Sequence, residues 1–324
     1  MTQMSELQLT TDPLALRPAS ARDYFDLLKP RIIFLVVFTG LAGLVAAQGV
    51  TGISMDPVLA AISVLAIAAG SGAAGALNMW YDADIDAKMV RTATRPIPSG
   101  AVPREEALAL GLILSGASVL LMWMASNAVA AILLAVSIAY YGWFYTMLLK
   151  RRTSQNIVIG GAAGAFPPVI AWAAVAGAPS LDAWLLFAII FIWTPPHFWA
   201  LSLVAHKDYE RAGVPMLPVV HGAATTRRQT LYYTLCLAPL GLVPVLTGLG
   251  GLIYGGVALG AGAGFLWFAV RLVRSCAGEA QAGEAERRLA MSTFGFSILY
   301  LFLLFGALLF EHATGLHFTP FMGS

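Results

Sequence analysis

The chain carries one long polar stretch, Asn78-Met-Trp-Tyr-Asp82-Ala-Asp84-Ile-Asp86-Ala-Lys88-Met-Val-Arg91-Thr-Ala-Thr-Arg95-Pro96, directly after an apolar run (57–77) that is long enough to cross a bilayer. If the helix continues into this stretch, Asn78, Asp82 and Asp86 recur every four residues and share one face, whereas Asp84 points away. Three oxygen donors in register, followed by two arginines, predict a seat for a divalent cation and for the phosphates that it bridges. The alternative is a capped, solvated helix end.

The composition identifies the class of protein. Of the 324 residues, 59% are hydrophobic and only 11% are charged, whereas a soluble domain carries about a quarter of charged residues. The chain is therefore a polytopic membrane protein, and we expect no nucleic-acid partner. Its first 30 residues contain acidic side chains and no apolar core, unlike a secretory signal or a transit peptide. The simplest location is a bacterial cytoplasmic membrane.

The apolar runs predict an all-α bundle of nine transmembrane helices, because a helix needs about 20 apolar residues to cross the hydrocarbon core. The predicted spans are 32–49, 57–79, 106–125, 128–148, 156–176, 182–204, 230–248, 252–271 and 291–312. This gives a cytoplasmic tail (1–22), a single transmembrane domain (23–312) and a short tail on the other side (313–324).

The distribution of positive charge supports this topology. With a cytoplasmic N-terminus, all 19 lysine and arginine residues fall in cytoplasmic segments, and the opposite loops contain none. This is the positive-inside pattern. The loops 78–96 and 206–218 follow spans two and six, so they lie on the same side and could face each other across one cavity. The pairs Pro167-Pro168 and Pro195-Pro196 should interrupt their helices.

Several cations could bind phosphate near the acidic face. Arginine forks and lysine point charges both suit phosphate oxygens. The candidates are Arg91, Arg95, Lys150 and Arg151, with Lys29 and Arg31 as weaker ones. Tyr141 and Tyr145 precede Lys150 in the chain. For any single cation, the alternative is that it only fixes the orientation of the protein in the membrane.

His197 lies well inside the sixth apolar run, and an ionisable residue at that depth suggests a function. Asp208 lies eleven residues later, close to three helical turns, so it shares a face with His197. His206 falls on the opposite side of that helix. His197 could be an axial ligand or close neighbour of a flat, iron-containing acceptor, or a hydrogen-bonded histidine of the helix interior.

At these residues the sequence resembles a known family. Asn78-x₃-Asp82-x₃-Asp86, followed by Arg91 and Arg95-Pro96, resembles the first Asp-rich motif of the UbiA superfamily of intramembrane prenyltransferases. The branch that attaches a farnesyl group to heme is similar in four further stretches. They are Leu28-Lys-Pro-Arg-Ile32, Tyr145-Thr-Met-Leu-Leu-Lys150-Arg151, Thr194-Pro-Pro-His197-Phe-Trp and Asp208-Tyr-Glu-Arg-Ala-Gly-Val-Pro-Met-Leu-Pro218.

The resemblance implies a nine-helix bundle around a cavity, with one or two Mg²⁺ ions held on two Asp-rich loops. The implied metal ligands are Asn78, Asp82, Asp86 and Asp208. Many relatives carry a second Asp-x₃-Asp, but here Ala212 stands four residues after Asp208. The second half of the metal site therefore has one carboxylate fewer than in those relatives.

The implied reaction is transfer of a farnesyl group from farnesyl diphosphate to a vinyl group of heme b, which gives heme o and diphosphate at the cytoplasmic side. A heme a synthase would use the product. The resemblance assigns catalysis to Asp82, Asp86, Lys150 and Arg151. Substrate binding falls to Asn78, Arg91, Arg95, Lys29, Arg31, Tyr141, Tyr145, His197 and His206.

Other functions make different demands on the sequence. Within the same fold, the acceptor could be a quinone or chlorophyll precursor, although the segment around His197 argues against it. A transporter would place acidic residues near the membrane midplane, whereas these lie at one rim. A cytochrome would need paired histidines on facing helices, and only His197 lies deep in an apolar run.

Overall fold

The structure is a computed structural model that describes residues 19–318. Every regular element in that range is helical. The elements are α1 (Ala21–Leu27), α2 (Pro30–Thr51), α3 (Pro57–Asp86), α4 (Arg104–Ala125), α5 (Ala128–Ala139) with a π-helix (Tyr140–Leu149) directly after it, α6 (Asn156–Ala176), α7 (Leu181–Arg211), α8 (Leu217–Leu240), α9 (Val243–Thr247), α10 (Leu252–Val273) and α11 (Glu284–Thr314). Arg17 and the outer parts of both predicted tails (1–18 and 319–324) lie outside the described residues.

Nine helical segments within the described range are long and apolar enough to cross a membrane. Each corresponds to one predicted span, so the predicted fold class is confirmed. α5 and the π-helix together form one segment, and α8 and α9 together form another. We call the end of the bundle that carries Asp82 the polar end. There α3 and α7 continue several residues beyond their predicted spans, to Asp86 and Arg211.

The proline pairs do not interrupt their helices, so that prediction is wrong. Pro167-Pro168 lies inside a continuous α6, and Pro195-Pro196 lies inside a continuous α7. A proline leaves the carbonyl four residues earlier without its helical donor. For Pro167 that carbonyl belongs to Ala163, and the Ser137 hydroxyl of α5 donates to it at 3.4 Å. For Pro167, a contact from a neighbouring helix thus compensates at membrane depth, as such contacts do in other transmembrane helices.

Two apolar clusters form the interior of the bundle. One joins α2, α6, α7, α10 and α11 around large rings such as Trp172 and Phe305. The other joins the five helices α2, α3, α4, α5 and α6 around Ile67 and Leu134. Large apolar side chains such as Met124 remain exposed on the outside. These exposed side chains form the surface that a bilayer covers.

At the end opposite to the polar end, a buried carboxylate closes the bundle. Glu311 of α11 is fully buried and accepts hydrogen bonds from the backbone N–H groups of Gly251 (2.7 Å) and Tyr254 (2.9 Å). These groups belong to the N-terminus of α10, which has unsatisfied donors and a partial positive charge. Glu311 therefore serves as the N-terminal cap of a neighbouring helix.

The close approach of α2 to α6 gives a stability prediction. A Cβ atom added at Gly43 would lie 2.7 Å from Cα of Pro168, so Gly43→Ala forces the helices apart. We expect a loss of about 1–3 kcal/mol, as for other overpacked interiors, measured as a lower thermal midpoint in detergent. The matched control is Gly116→Ala, whose Cβ meets nothing within 4 Å and which should keep or raise the midpoint. Equal midpoints for the two variants would contradict this packing.

Candidate active site

The last turns of α3 provide the acidic face. Asn78, Asp82 and Asp86 are all buried, and the carboxylates of Asp82 and Asp86 are fully buried. Asp84 instead has a side chain that is 54% exposed. The helix thus continues to Asp86 with the face that the four-residue spacing predicts.

Asp82 lies at the centre of a polar network that joins three segments. Its Oδ2 atom accepts from Lys150 Nζ and from Asn78 Nδ2 (2.8 Å). Asn78 Nδ2 also lies 3.0 Å from the hydroxyl of Thr146 in the π-helix. The π-helix ends next to Lys150, whose carbonyl accepts from Nδ2 of the fully buried Asn156. π-Helical turns of this kind occur frequently at functional sites, and here one places Thr146 and Lys150 against α3.

Asp86 is paired within its own loop. Arg95 Nη1 donates to Asp86 Oδ2 at 2.6 Å, and the Thr92 hydroxyl donates to the Asp86 carbonyl at 2.9 Å. The loop after α3 therefore folds back over the acidic face. Arg91 of the same loop is exposed and makes no ion pair with any residue between 19 and 318.

Arg151 occupies the outer side of α3. Its guanidinium binds both carboxylate oxygens of Asp84, at 2.6 and 2.8 Å, and donates to the Tyr81 carbonyl at 3.3 Å. It also lies over the Tyr81 ring, 4.9 Å from the centroid. The hydrogen bond with Asp84 raises the pKa of Arg151 above its ordinary value. Arg151 Nη2 is 3.6 Å from Asp82 Oδ1, so the same guanidinium lies at the edge of the acidic face.

Lys29 reaches the network from the turn between α1 and α2. It is the only non-glycine residue with a positive φ (58°) in the described part of the chain, a conformation that costs energy for most residues. Its ammonium group donates to Asn78 Oδ1 and lies 5.8 Å from the Tyr141 ring centroid. Burial, and then the charges of Arg95 and Lys150, lower the pKa of Lys29 to about 7. Arg31, two residues later, is exposed.

Two oxygens of the acidic face lack a hydrogen-bond donor within the described residues. Asp82 Oδ1 and Asp86 Oδ1 are buried and accept no hydrogen bond from residues 19–318. Such oxygens are rare in folded proteins and call for an explanation, such as an ion. They lie one turn apart, and Mg²⁺ favours one or two carboxylates completed by substrate oxygens. The donor set therefore fits Mg²⁺.

The second polar loop lies against the first. Ile85 and Met89 pack with Tyr209 and Met216 in one apolar cluster. Asp208 pairs with Arg211 at 3.1 Å. Within residues 19–318, no three acidic, histidine or cysteine side chains come together as a metal site. The structure therefore does not bring Asp208 into a three-carboxylate set with the acidic face.

His197 is a buried residue of the helix interior. Its ring stacks on Trp193 (centroids 4.3 Å apart) and on Phe294 (4.6 Å). Its Nδ1 atom lies 2.7 Å from the Ser297 hydroxyl. His206 Nδ1 lies 2.9 Å from the Leu203 carbonyl, nearer to the polar end.

Three residues of the network were not among the predicted site residues. Thr146 and Asn156 have no distinguishing pattern in the sequence, because Thr146 lies in a mostly apolar stretch and Asn156 ends a polar loop. Asp84 was predicted to point away, and it does, but Arg151 lies on that side of the helix. The only sequence signal for this pair is an acidic residue between two others at the end of an apolar helix.

The sequence of the chain matches a known protein family. A model of the UbiA prenyltransferase family matches residues 36–291, which is well over half of the chain. The chain belongs to the UbiA prenyltransferase family.

Curated relatives of this UbiA chain are similar over nearly their whole length. A protein of Hyphomonas neptunium named protoheme IX farnesyltransferase is 67% identical over 314 residues, which cover 97% of this chain and 99% of the relative. A protein of the same name from Methylobacterium radiotolerans is 58% identical over 301 residues, 93% of this chain and 92% of the relative.

Solved UbiA-type structures agree with the fold. A structure described as digeranylgeranylglyceryl phosphate synthase has a TM-score of 0.71 at 16% identity, and covers 90% of this chain and 98% of that one. A UbiA homolog from Archaeoglobus fulgidus, bound to DMAPP and Mg²⁺, has a TM-score of 0.64 at 15% identity, with 88% and 99% covered. At these identities the likeness concerns the fold alone.

Proposed function

We propose that this protein transfers the farnesyl group of farnesyl diphosphate to a vinyl group of heme b, with heme o and diphosphate as products. The observation that supports this most strongly is the 67% identity to a protoheme IX farnesyltransferase over almost the full length of both chains. The buried acidic face with its surrounding cations supports it independently, because a diphosphate ester needs such a seat. Residues 23–312 act as one prenyltransferase domain, and the family match (36–291) falls within it.

The diphosphate lies at the polar end, against the cations that surround α3. Lys29, Arg95, Lys150 and Arg151 all contact Asn78 or one of the carboxylates of α3. When the allylic C–O bond breaks, its electron pair stays on the diphosphate oxygen. Fixed cations around that oxygen then stabilise the transition state more than the ground state. Exposed Arg91 and Arg31 are free to approach the diphosphate or the heme propionates.

The two carboxylate oxygens without a hydrogen bond would be the metal contacts. Asp82 and Asp86 would hold Mg²⁺, and when bound the ion supplies positive charge next to the diphosphate oxygens. The amide oxygen of Asn78 accepts from Lys29, so Asn78 supports the seat through Asp82. Asp208 of the opposite loop pairs with Arg211 and would be a ligand only for a second ion.

The allylic carbon needs a dry site with aromatic faces while it carries positive charge. Tyr145 is buried, and Tyr141 lies 5.4 Å from it, ring centroid to centroid. Both belong to the π-helix that ends beside Lys150, and the Tyr141 ring lies 5.8 Å from Lys29 Nζ, so these rings would lie close to the proposed diphosphate site. Each cation–π contact contributes about 0.5–2 kcal/mol. The farnesyl carbon then bonds to the vinyl group, and water adds to the cation formed on the heme side and loses a proton.

Heme b would lie beside the segment around His197. The Ser297 hydroxyl engages Nδ1, and Nε2 makes no hydrogen bond with any residue between 19 and 318. That nitrogen is therefore the one available to heme. His206 would contact the acceptor nearer to the polar end. The product would pass to a heme a synthase.

The protein is a multi-pass membrane protein, and we place its polar end on the cytoplasmic side of a bacterial inner membrane. The positive-inside distribution of its basic residues supports this orientation. A fifteen-carbon chain gains about 0.8 kcal/mol per buried CH₂, so the membrane concentrates both reactants while their charged ends remain at the polar rim.

The carboxylates of Asp82 and Asp86 give the main functional prediction. Asp82→Asn or Asp86→Asn should lower turnover of farnesyl diphosphate and heme b by at least about a thousandfold, because each removes one proposed metal ligand and one charge. The assay measures heme o by mass spectrometry, with a quinone precursor as a second acceptor. Glu105→Gln removes an exposed charge without a partner in the described structure and should leave the rate unchanged. Turnover of the quinone precursor instead of heme would reject the proposed acceptor.

The lowered pKa of Lys29 predicts a pH dependence of diphosphate binding. Below pH 7 the amine is charged, and above it the amine is neutral; its protonated fraction falls from about nine-tenths at pH 6 to about one-tenth at pH 8. Diphosphate affinity, divided by that of Lys29→Arg at the same pH, should therefore fall up to about tenfold across this interval. Isothermal titration calorimetry with inorganic diphosphate and Mg²⁺ measures the affinity of both proteins at each pH. A ratio that stays constant from pH 6 to 8 would show that Lys29 does not titrate there.

A further inference from the structure

Arg151 stands between two carboxylates of unequal exposure. It binds Asp84 at 2.6 and 2.8 Å, and it lies 3.6 Å from Oδ1 of Asp82. The side chain of Asp84 is 54% exposed, whereas that of Asp82 is fully buried. The guanidinium thus makes two short hydrogen bonds to the exposed carboxylate but only a longer ion pair, without a hydrogen bond, to the buried one.

Electrostatics alone would favour the opposite arrangement. A charge pair attracts more strongly where water is excluded, and Asp82 Oδ1 is a buried oxygen that accepts no hydrogen bond in the described structure. A small movement of Arg151 would satisfy it. What holds Arg151 back is the two-pronged hydrogen bond to Asp84, with the carbonyl and ring of Tyr81 on the same outer side of the helix.

We infer that Asp84 is a positioning residue that keeps Arg151 from closing to hydrogen-bond distance of Asp82 Oδ1, and so keeps that oxygen open to a divalent cation. This inference rests on the proposed function. Asp84 forms a bidentate pair with the arginine, the strongest geometry for such a pair, and holds it at the rim of the diphosphate seat. Asp84 itself contacts neither metal nor substrate.

It follows that Arg151 and the divalent cation compete for Asp82 Oδ1, and that the carboxylate of Asp84 prevents this competition. In Asp84→Asn the neutral amide cannot hold the guanidinium as an ion pair, and Arg151 closes onto Asp82 Oδ1. The arginine then occupies an oxygen that the cation needs, and metal binding weakens. Asp84→Glu keeps the negative charge and adds one rotatable bond. This variant should therefore retain most of the wild-type affinity for the metal.

The test measures metal binding directly, with Mn²⁺ as the probe and electron paramagnetic resonance of the purified full-length protein as the readout, with and without inorganic diphosphate. We expect Asp84→Asn to raise the Mn²⁺ dissociation constant about tenfold. In the Arg151→Gln background the same substitution should have no further effect, because the competing guanidinium is gone. Glu105→Gln serves as the control for loss of an exposed charge.

Two results would overturn the inference. One is wild-type Mn²⁺ affinity in Asp84→Asn. The other is a double variant, Asp84→Asn with Arg151→Gln, that binds Mn²⁺ more weakly than Arg151→Gln alone, since Asp84 would then act on the metal without the arginine. A general folding defect would lower the thermal midpoint and would not be reversed by Arg151→Gln. The readout needs no acceptor, so an enzyme that binds Mn²⁺ in this pattern but does not farnesylate heme would reject only the proposed function.

Discussion

The polar end depends on one arrangement, a fully buried Asp82 carboxylate that accepts hydrogen bonds on only one of its two oxygens. Its Oδ2 atom binds Lys150 and Asn78, and Asn78 in turn binds Lys29. This chain of contacts ties α3 to the π-helix and to the turn before α2. Burying a carboxylate is costly unless it is paired and hydrogen-bonded, so these segments must assemble together. The Oδ1 atom accepts no hydrogen bond and so remains available to a ligand.

The same contacts explain how a very apolar bundle can act on a charged ester. Arg95, Lys150 and Arg151, together with the protonated form of Lys29, are positive partners of α3 and are therefore already in place when the diphosphate arrives. Cations that are already oriented need not reorganise during the reaction, and this is the main source of electrostatic catalysis. The apolar helices around them keep water away and hold the chains of both reactants. The polar end thus stabilises the charged part of the substrate, and the apolar helices bind its hydrophobic part.

Much of this was predictable from the sequence, and the remainder has identifiable physical causes. Long apolar runs specify transmembrane helices directly, and a four-residue spacing places Asp82 and Asp86 on one face. Local rules failed for Pro167, where the Ser137 hydroxyl of another helix reaches the carbonyl that proline leaves free. The partner of Asp84 could not be deduced from the sequence either. The predicted position of Asp84 on the helix was correct, but its partner Arg151 is placed by the way in which the π-helix and the following loop pack against α3.

The most direct test of the account is a structure of the protein with Mn²⁺ and a non-hydrolysable farnesyl thiodiphosphate, in which anomalous scattering locates the metal. The account predicts a metal ion about 2.1 Å from both Asp82 Oδ1 and Asp86 Oδ1, with Arg151 still on Asp84. A metal bound elsewhere, or Asp82 Oδ1 and Asp86 Oδ1 occupied by arginine while the thiodiphosphate is bound, would contradict it.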